Sequence, residues 1–91
     1  MRRPIYVKQR EASDEAGRPY FWFTVQGGNA ENVLTSKMFV ERWRAVRGAR
    51  AFIKSVSPAP VLFSYWTGRV GRMRMEVESH GSTLLNNEPP F

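Results

Sequence analysis

The sequence predicts an α+β domain of order β-β-β-α-β-β, with one helix packed on an antiparallel sheet. Three observations carry this. Several short runs alternate apolar and polar residues with period 2, the mark of half-buried strands. One longer stretch, residues 39–56, switches to the 3.6 period of an amphipathic helix and is closed by Pro58 and Pro60. The chain has 91 residues, enough for one domain and too few for a second.

Residues 4–11 form the first expected strand, in which Ile5 and Val7 alternate with Tyr6, Lys8 and Arg10. The polar stretch 12–19 is a connection, with Gly17 and Pro19 near its end. Residues 20–26 carry the strongest strand signal. Phe21, Phe23 and Val25 face one way, and Tyr20, Trp22 and Thr24 the other. Gly27, Gly28 and Asn29 suit a hairpin turn because they accept positive φ. A short strand at 32–35 follows.

Ser36 is the expected helix N-cap, with Thr35 as competitor. Phe39, Trp43, Val46 and Ile53 share one stripe of the helix, extended by Ala45, Ala49, Phe52 and Val56. Arg44, Arg47 and Lys54 lie on the opposite flank, and Arg50 at its border. Arg42 falls within the apolar stripe, where a place near the helix start lets its head snorkel outward. Gly48 costs roughly 1 kcal/mol against Ala in mid-helix, which implies a close approach to the sheet. Residues 61–67 form a fourth strand, apolar on both faces. After a turn at 68–71 comes a fifth, 72–79, with Met73, Met75 and Val77 on its apolar face and Arg72, Arg74, Glu76 and Glu78 on its polar one. The domain is thus expected over 1–79, with a mobile tail at 80–91.

Composition excludes much. There is no cysteine, so disulfides and thiolate metal sites are ruled out and nothing argues for an oxidising compartment. A lone histidine, His80, makes no metal cluster, and no cofactor is expected. No apolar run approaches the ~20 residues of a membrane span. A cytoplasmic location is expected. Enzyme chemistry finds little support. Glu76 and Glu78 share a strand face but are expected to be solvated. The glycine turn lacks the lysine and strand–helix setting of a phosphate loop. Ser36 and Lys37 are adjacent, so their side chains diverge.

Charge is more informative. Fourteen Lys and Arg stand against eight Asp and Glu, a net +6, and eleven of the fourteen are Arg. Between residues 36 and 54, six Lys and Arg face only Glu41, so +5 of the excess sits on and just before the helix. Clustering of this kind is the electrostatic footprint expected for a phosphate backbone, and Arg suits bidentate phosphate contact. The candidate nucleic-acid-binding residues are Arg44, Arg47, Arg50 and Lys54, with Arg2, Arg3, Arg72 and Arg74 in reserve.

The stretch from Phe21 to about Val56 resembles the YegP-like family of small domains of unknown function. The strand Phe21-Trp22-Phe23-Thr24-Val25 is similar to that family's aromatic strand. Gly28-Asn29, Glu31, Val33 and Leu34-Thr35-Ser36 are similar to its turn and next strand, and Arg42, Ala45, Val46 and Gly48 to its helix. Ala30 and Met38 stand where glycine is common, and Trp43 where a small residue is usual. The resemblance implies a β-β-β-α-β unit that works in pairs, two units sharing one sheet and able to exchange C-terminal strands. One unit per chain then implies a homodimer. It supplies no catalytic residue.

Apolar strand faces left over by a single helix point the same way. Tyr20, Trp22, Leu62, Phe63, Tyr65 and Trp66 are the candidate dimer interface. The expected function is that of a small non-enzymatic dimeric module binding DNA or RNA through the basic helix face. The alternative is a protein partner, as for an accessory factor of a phage or high-GC bacterium that modulates a host protein.

Overall fold

The computed structural model describes residues 4–27, 31–69 and 71–81. Within them lie β1 (Ile5–Ser13), β2 (Pro19–Gln26), β3 (Asn32–Thr35), α1 (Arg42–Ser55), β4 (Val61–Thr67) and β5 (Arg74–His80). The strands form one sheet in the order β3-β2-β1-β4-β5, and α1 covers one face of it. The fold is therefore α+β in the expected element order. Arg2, Arg3, the turn residues 28–30 and most of the expected tail lie outside the described residues.

The sheet is mixed rather than wholly antiparallel. β1 and β2 are joined by a short polar loop and pair antiparallel, as do β2 with β3 and β4 with β5. β4 arrives after the helical crossover and pairs parallel to β1, from Ile5↔Val61 to Lys8↔Ser64. Parallel neighbours need such a crossover, which no hairpin can supply.

The helix begins at Arg42, three residues later than the periodicity suggests. Its N-cap is Glu41, extended at φ −134° and ψ 139° and making no side-chain cap bond. Ser36 serves the sheet instead of the helix. Its hydroxyl accepts from the Phe23 N–H at 2.9 Å and donates to the Lys37 carbonyl at 2.8 Å. Phe39 then exchanges both backbone hydrogen bonds with Phe21, at 2.9 and 2.7 Å. The segment before α1 thus prolongs the β3 edge, because β2 still offers backbone groups that need partners.

The core is Val7, Phe23, Val25, Val61 and Phe63 from the sheet with Val46, Ala49 and Ile53 from the helix, flanked by Ile5, Phe39, Phe52, Val56 and Tyr65. Trp43 is not part of it and stands 53% exposed. The later helix start puts Trp43 in the first turn, beyond the core, where its indole N–H donates to Glu41 at 3.0 Å. Phe63 is wholly buried under α1 and Tyr65 packs beside it, so neither belongs to an exposed interface. Tyr20, Trp22, Leu62 and Trp66 alternate to the opposite face, which no described element covers.

The faces of β5 are also reversed from expectation. Glu76 and Glu78 turn toward the helix side, while Met75 and Val77 are 45% and 61% exposed. β5 is an edge strand beyond the reach of the core, so an Arg on α1 can meet its carboxylates. His80 closes this strand rather than opening a tail.

Gly48 sits where α1 meets the sheet. A Cβ there would lie 3.2 Å from the Phe39 ring and 3.4 Å from that of Phe23. Gly68 has φ +97°, and its added Cβ would lie 2.6 Å from the Arg72 carbonyl oxygen, so only glycine fits this turn. Gly48→Val is expected to destabilise the fold by about 1–3 kcal/mol through overpacking, read as a lower urea midpoint with unchanged slope.

Candidate nucleic-acid interface

The helix cations divide into paired and unpaired. Arg44 meets Glu41 at 2.9 Å and lies over the Trp43 ring. Arg50 meets Glu78 at 2.6 Å and lies over Tyr65 and Phe63. Arg74 approaches Glu76 at 3.5 Å. Arg47 and Lys54 are exposed and have no ion-pair partner among the described residues. Arg47 shares a groove with Lys37, Phe39, Trp43 and Arg44. Lys54 lines another with Arg50, Ser57 and His80. The expected basic helix face is therefore two open cations separated by pairs, with Arg72 exposed in the β4–β5 turn.

Arg42, which the helical pattern left in the apolar stripe, neither snorkels nor faces a ligand. Its guanidinium reaches Glu11 at 2.7 and 3.1 Å and the Gly68 carbonyl at 2.8 Å. Glu11 also accepts from the Gln9 amide at 3.0 Å. Gln9 in turn accepts the Trp66 backbone N–H at 2.9 Å. This side chain takes the place of a ladder partner where β1 and β4 stop pairing. Above that fork a cleft of about 370 Å³ opens, lined by Lys8, Arg10, Glu11, Ser64, Trp66 and Met75 along with Gln9 itself.

The cleft belongs to the uncovered face of the sheet, a surface that charge counting along the helix does not find. Arg10 stands opposite Trp22 and Lys8 opposite Thr24 on β2. Trp22 stacks on Tyr20 with centroids 5.4 Å apart and planes 20° apart. Arg10, Trp22, Thr24, Gln26 and Asn32 line a second hollow of about 220 Å³. The Thr24 hydroxyl there is shielded from solvent without a hydrogen-bond partner. The period-2 reading could have found this face, since it sets Lys8 and Arg10 on the same side as Trp22 once the two strands are paired.

Two carboxyls on the helix side are held ionised. Burial raises Glu11, but hydrogen bonds from Arg42 and Gln9 outweigh it and set the group below its ordinary 4.5. Burial likewise raises Glu78, and bonds from Tyr65, Arg50 and His80 more than reverse it. The Tyr65 hydroxyl donates to Glu78 at 2.6 Å, which raises the phenol above its usual range.

Among the described residues no group of His, Cys, Asp and Glu could hold a metal ion, and no helix is long and apolar enough to cross a membrane. Compared with known proteins, the chain matches no family model, no curated protein and no solved structure.

Because Glu11 and Glu78 have depressed folded values, their stabilisation is present above the unfolded value and lost as pH falls through the folded ones. The urea midpoint is expected to hold from pH 7 to about pH 5, then decline below the ordinary carboxyl value of 4.5. Glu78→Gln should flatten part of that decline.

Proposed function

We propose that this chain is a small non-enzymatic module that binds nucleic acid, acting in the cytoplasm. The observation that carries the reading is what remains after the acids are matched. Glu11, Glu41, Glu76 and Glu78 each engage an Arg, while Arg47 and Lys54 on α1 project to solvent without such a partner among the described residues. Unpaired Arg and Lys on an ordered element are what a phosphate backbone recruits, at a cost of few displaced internal bonds. The first five elements run β-β-β-α-β, the order that the resemblance to a YegP-like unit implies.

A second reading, a homodimer with a shared sheet, is favoured by the β3 edge. Val33, Leu34, Met38 and Val40 are 68%, 42%, 54% and 74% exposed, beside an edge strand whose outer backbone groups are open to pairing. The two readings are compatible, since the edge and the helix cations are different surfaces. A protein partner remains the alternative occupant of that edge.

In gel-shift titrations the affinity for nucleic acid is expected to fall steeply with salt. An Arg47→Ala, Lys54→Ala double variant should lower the slope of log affinity against log salt by about 2. Absence of binding at low ionic strength defeats the reading. For the dimer, light scattering at micromolar concentration should give twice the 10.5 kDa chain mass, and Leu34→Asp should shift it toward the monomer.

A further inference from the structure

We propose that the uncovered face of the sheet is a stacking platform for single-stranded nucleic acid. This deepens the reading above and rests on it. The strand register builds the platform. Arg10 on β1 is opposite Trp22 on β2, and Lys8 is opposite Ser64 on β4. Just beyond that last parallel pair, Arg10 and Trp66 line one cleft, and Trp66 is opposite Met75 on β5. One row across the sheet thus reads Trp22, Arg10, Trp66, Met75. Lys8 lies in the next row, and Tyr20 extends Trp22 by stacking on it.

The two indoles stand on the strands either side of β1, Trp22 opposite Arg10 on β2 and Trp66 across the cleft from Arg10 on β4. Aromatic rings on a sheet take up bases that have no base-paired neighbour in the way, and interleaved cations take up the connecting phosphates. A duplex keeps its base faces stacked inside and can offer this surface only its backbone. The fork at Gln9 adds a place for a base edge. Because β1 and β4 part there, the cleft beside Trp66 is recessed rather than flat.

Charge selects the occupant. None of the strand residues that alternate to this face is acidic, from Tyr6, Lys8 and Arg10 through Trp22 and Trp66 to Val77. Glu11 reaches the cleft floor, but its carboxylate is taken by Arg42 and Gln9. A second copy docked face to face would cover Lys8 and Arg10 with a face whose own strand residues include no acid, and burying such unmatched cations is costly once water is excluded. A polyanion with exposed aromatic bases matches both the cations and the rings.

The test compares a fluorescein-labelled twelve-nucleotide oligothymidylate (~12 nt, within the usual span of a stacking groove) with a duplex of equal length, by anisotropy on the full chain at low salt. The single strand is expected to bind at least about tenfold tighter than the duplex. Trp22→Ala with Trp66→Ala should weaken it by about tenfold or more while leaving duplex binding unchanged. Trp22→Phe with Trp66→Phe, which keeps both rings, should restore most of the affinity, and Arg10→Gln covers the case in which the alanine pair does not fold. Equal affinity for both probes, with the Trp and Arg10 variants silent, overturns the platform and leaves phosphate binding by the helix standing. No binding of either probe overturns both. A dimer that the Trp variants dissociate places a second copy on this face and also overturns the platform.

Discussion

The Gln9 side chain holds the architecture at the seam between β1 and β4. It is 1% exposed, the one polar residue among the buried ones that the structure describes, and it stands where the parallel ladder between β1 and β4 ends. An unpaired backbone N–H at such a place would cost free energy comparable to a lost hydrogen bond. Gln9 accepts the Trp66 N–H and donates to the Arg10 carbonyl and to Glu11. Glu11 passes the connection to Arg42 at the first turn of α1, and Arg42 passes it to Gly68 beyond β4. One satisfied chain of polar groups therefore fixes the angle between two strands, the start of the helix and the entry to the last hairpin. Networks of this kind are worth having only when complete, and here each donor finds an acceptor.

Side-chain pairing also sorts charge between the two faces. Carboxylates on the helix side are held ionised by Arg42, Arg50 and Tyr65, and once they are matched Arg47 and Lys54 remain the open cations of α1. Across the sheet no acidic strand residue alternates to the face of Lys8 and Arg10. The result is a field directed outward from the open face and from two points on α1. It explains why a net charge concentrated on the helix in sequence is not concentrated there in effect: three of the helix Arg residues spend their charge on Glu11, Glu41 and Glu78.

Strand existence was legible because Tyr20 to Gln26 and Val61 to Thr67 are short aromatic and β-branched runs bounded by Gly and Pro, and the observed strands there agree within a residue. The helix body was legible from Val46, Ala49 and Ile53. Its start was not, since Ser36 is as good a sheet acceptor as a cap and only the neighbouring backbone of Phe23 decides. The parallel pairing of β1 with β4 was hidden because each strand alternates in the same way whichever direction its neighbour runs. The fate of Arg42 and the side to which Glu78 turns depend on residues 31 and 28 positions away in sequence, a separation no local pattern encodes. At the candidate site, residue types were readable but pairing was not. Arg44 and Arg50 look the same as Arg47 until Glu41 and Glu78 are placed.

A small domain is short of core, and large aromatics bury the most area per residue. Yet none of the three Trp residues is in the core, which is built from Val, Ala, Ile and Phe. Trp43 is exposed on the helix, and Trp22 and Trp66 are half-buried on the uncovered face. Placing two indoles where each stays partly open to solvent, on strands either side of an Arg, is poorly accounted for by folding alone. It is well accounted for if the area is withheld from the core to be covered by a ligand, so that stacking energy appears on binding rather than on folding. On that account the open face is incomplete in the isolated chain, and the two Trp residues are the measure of what it lacks.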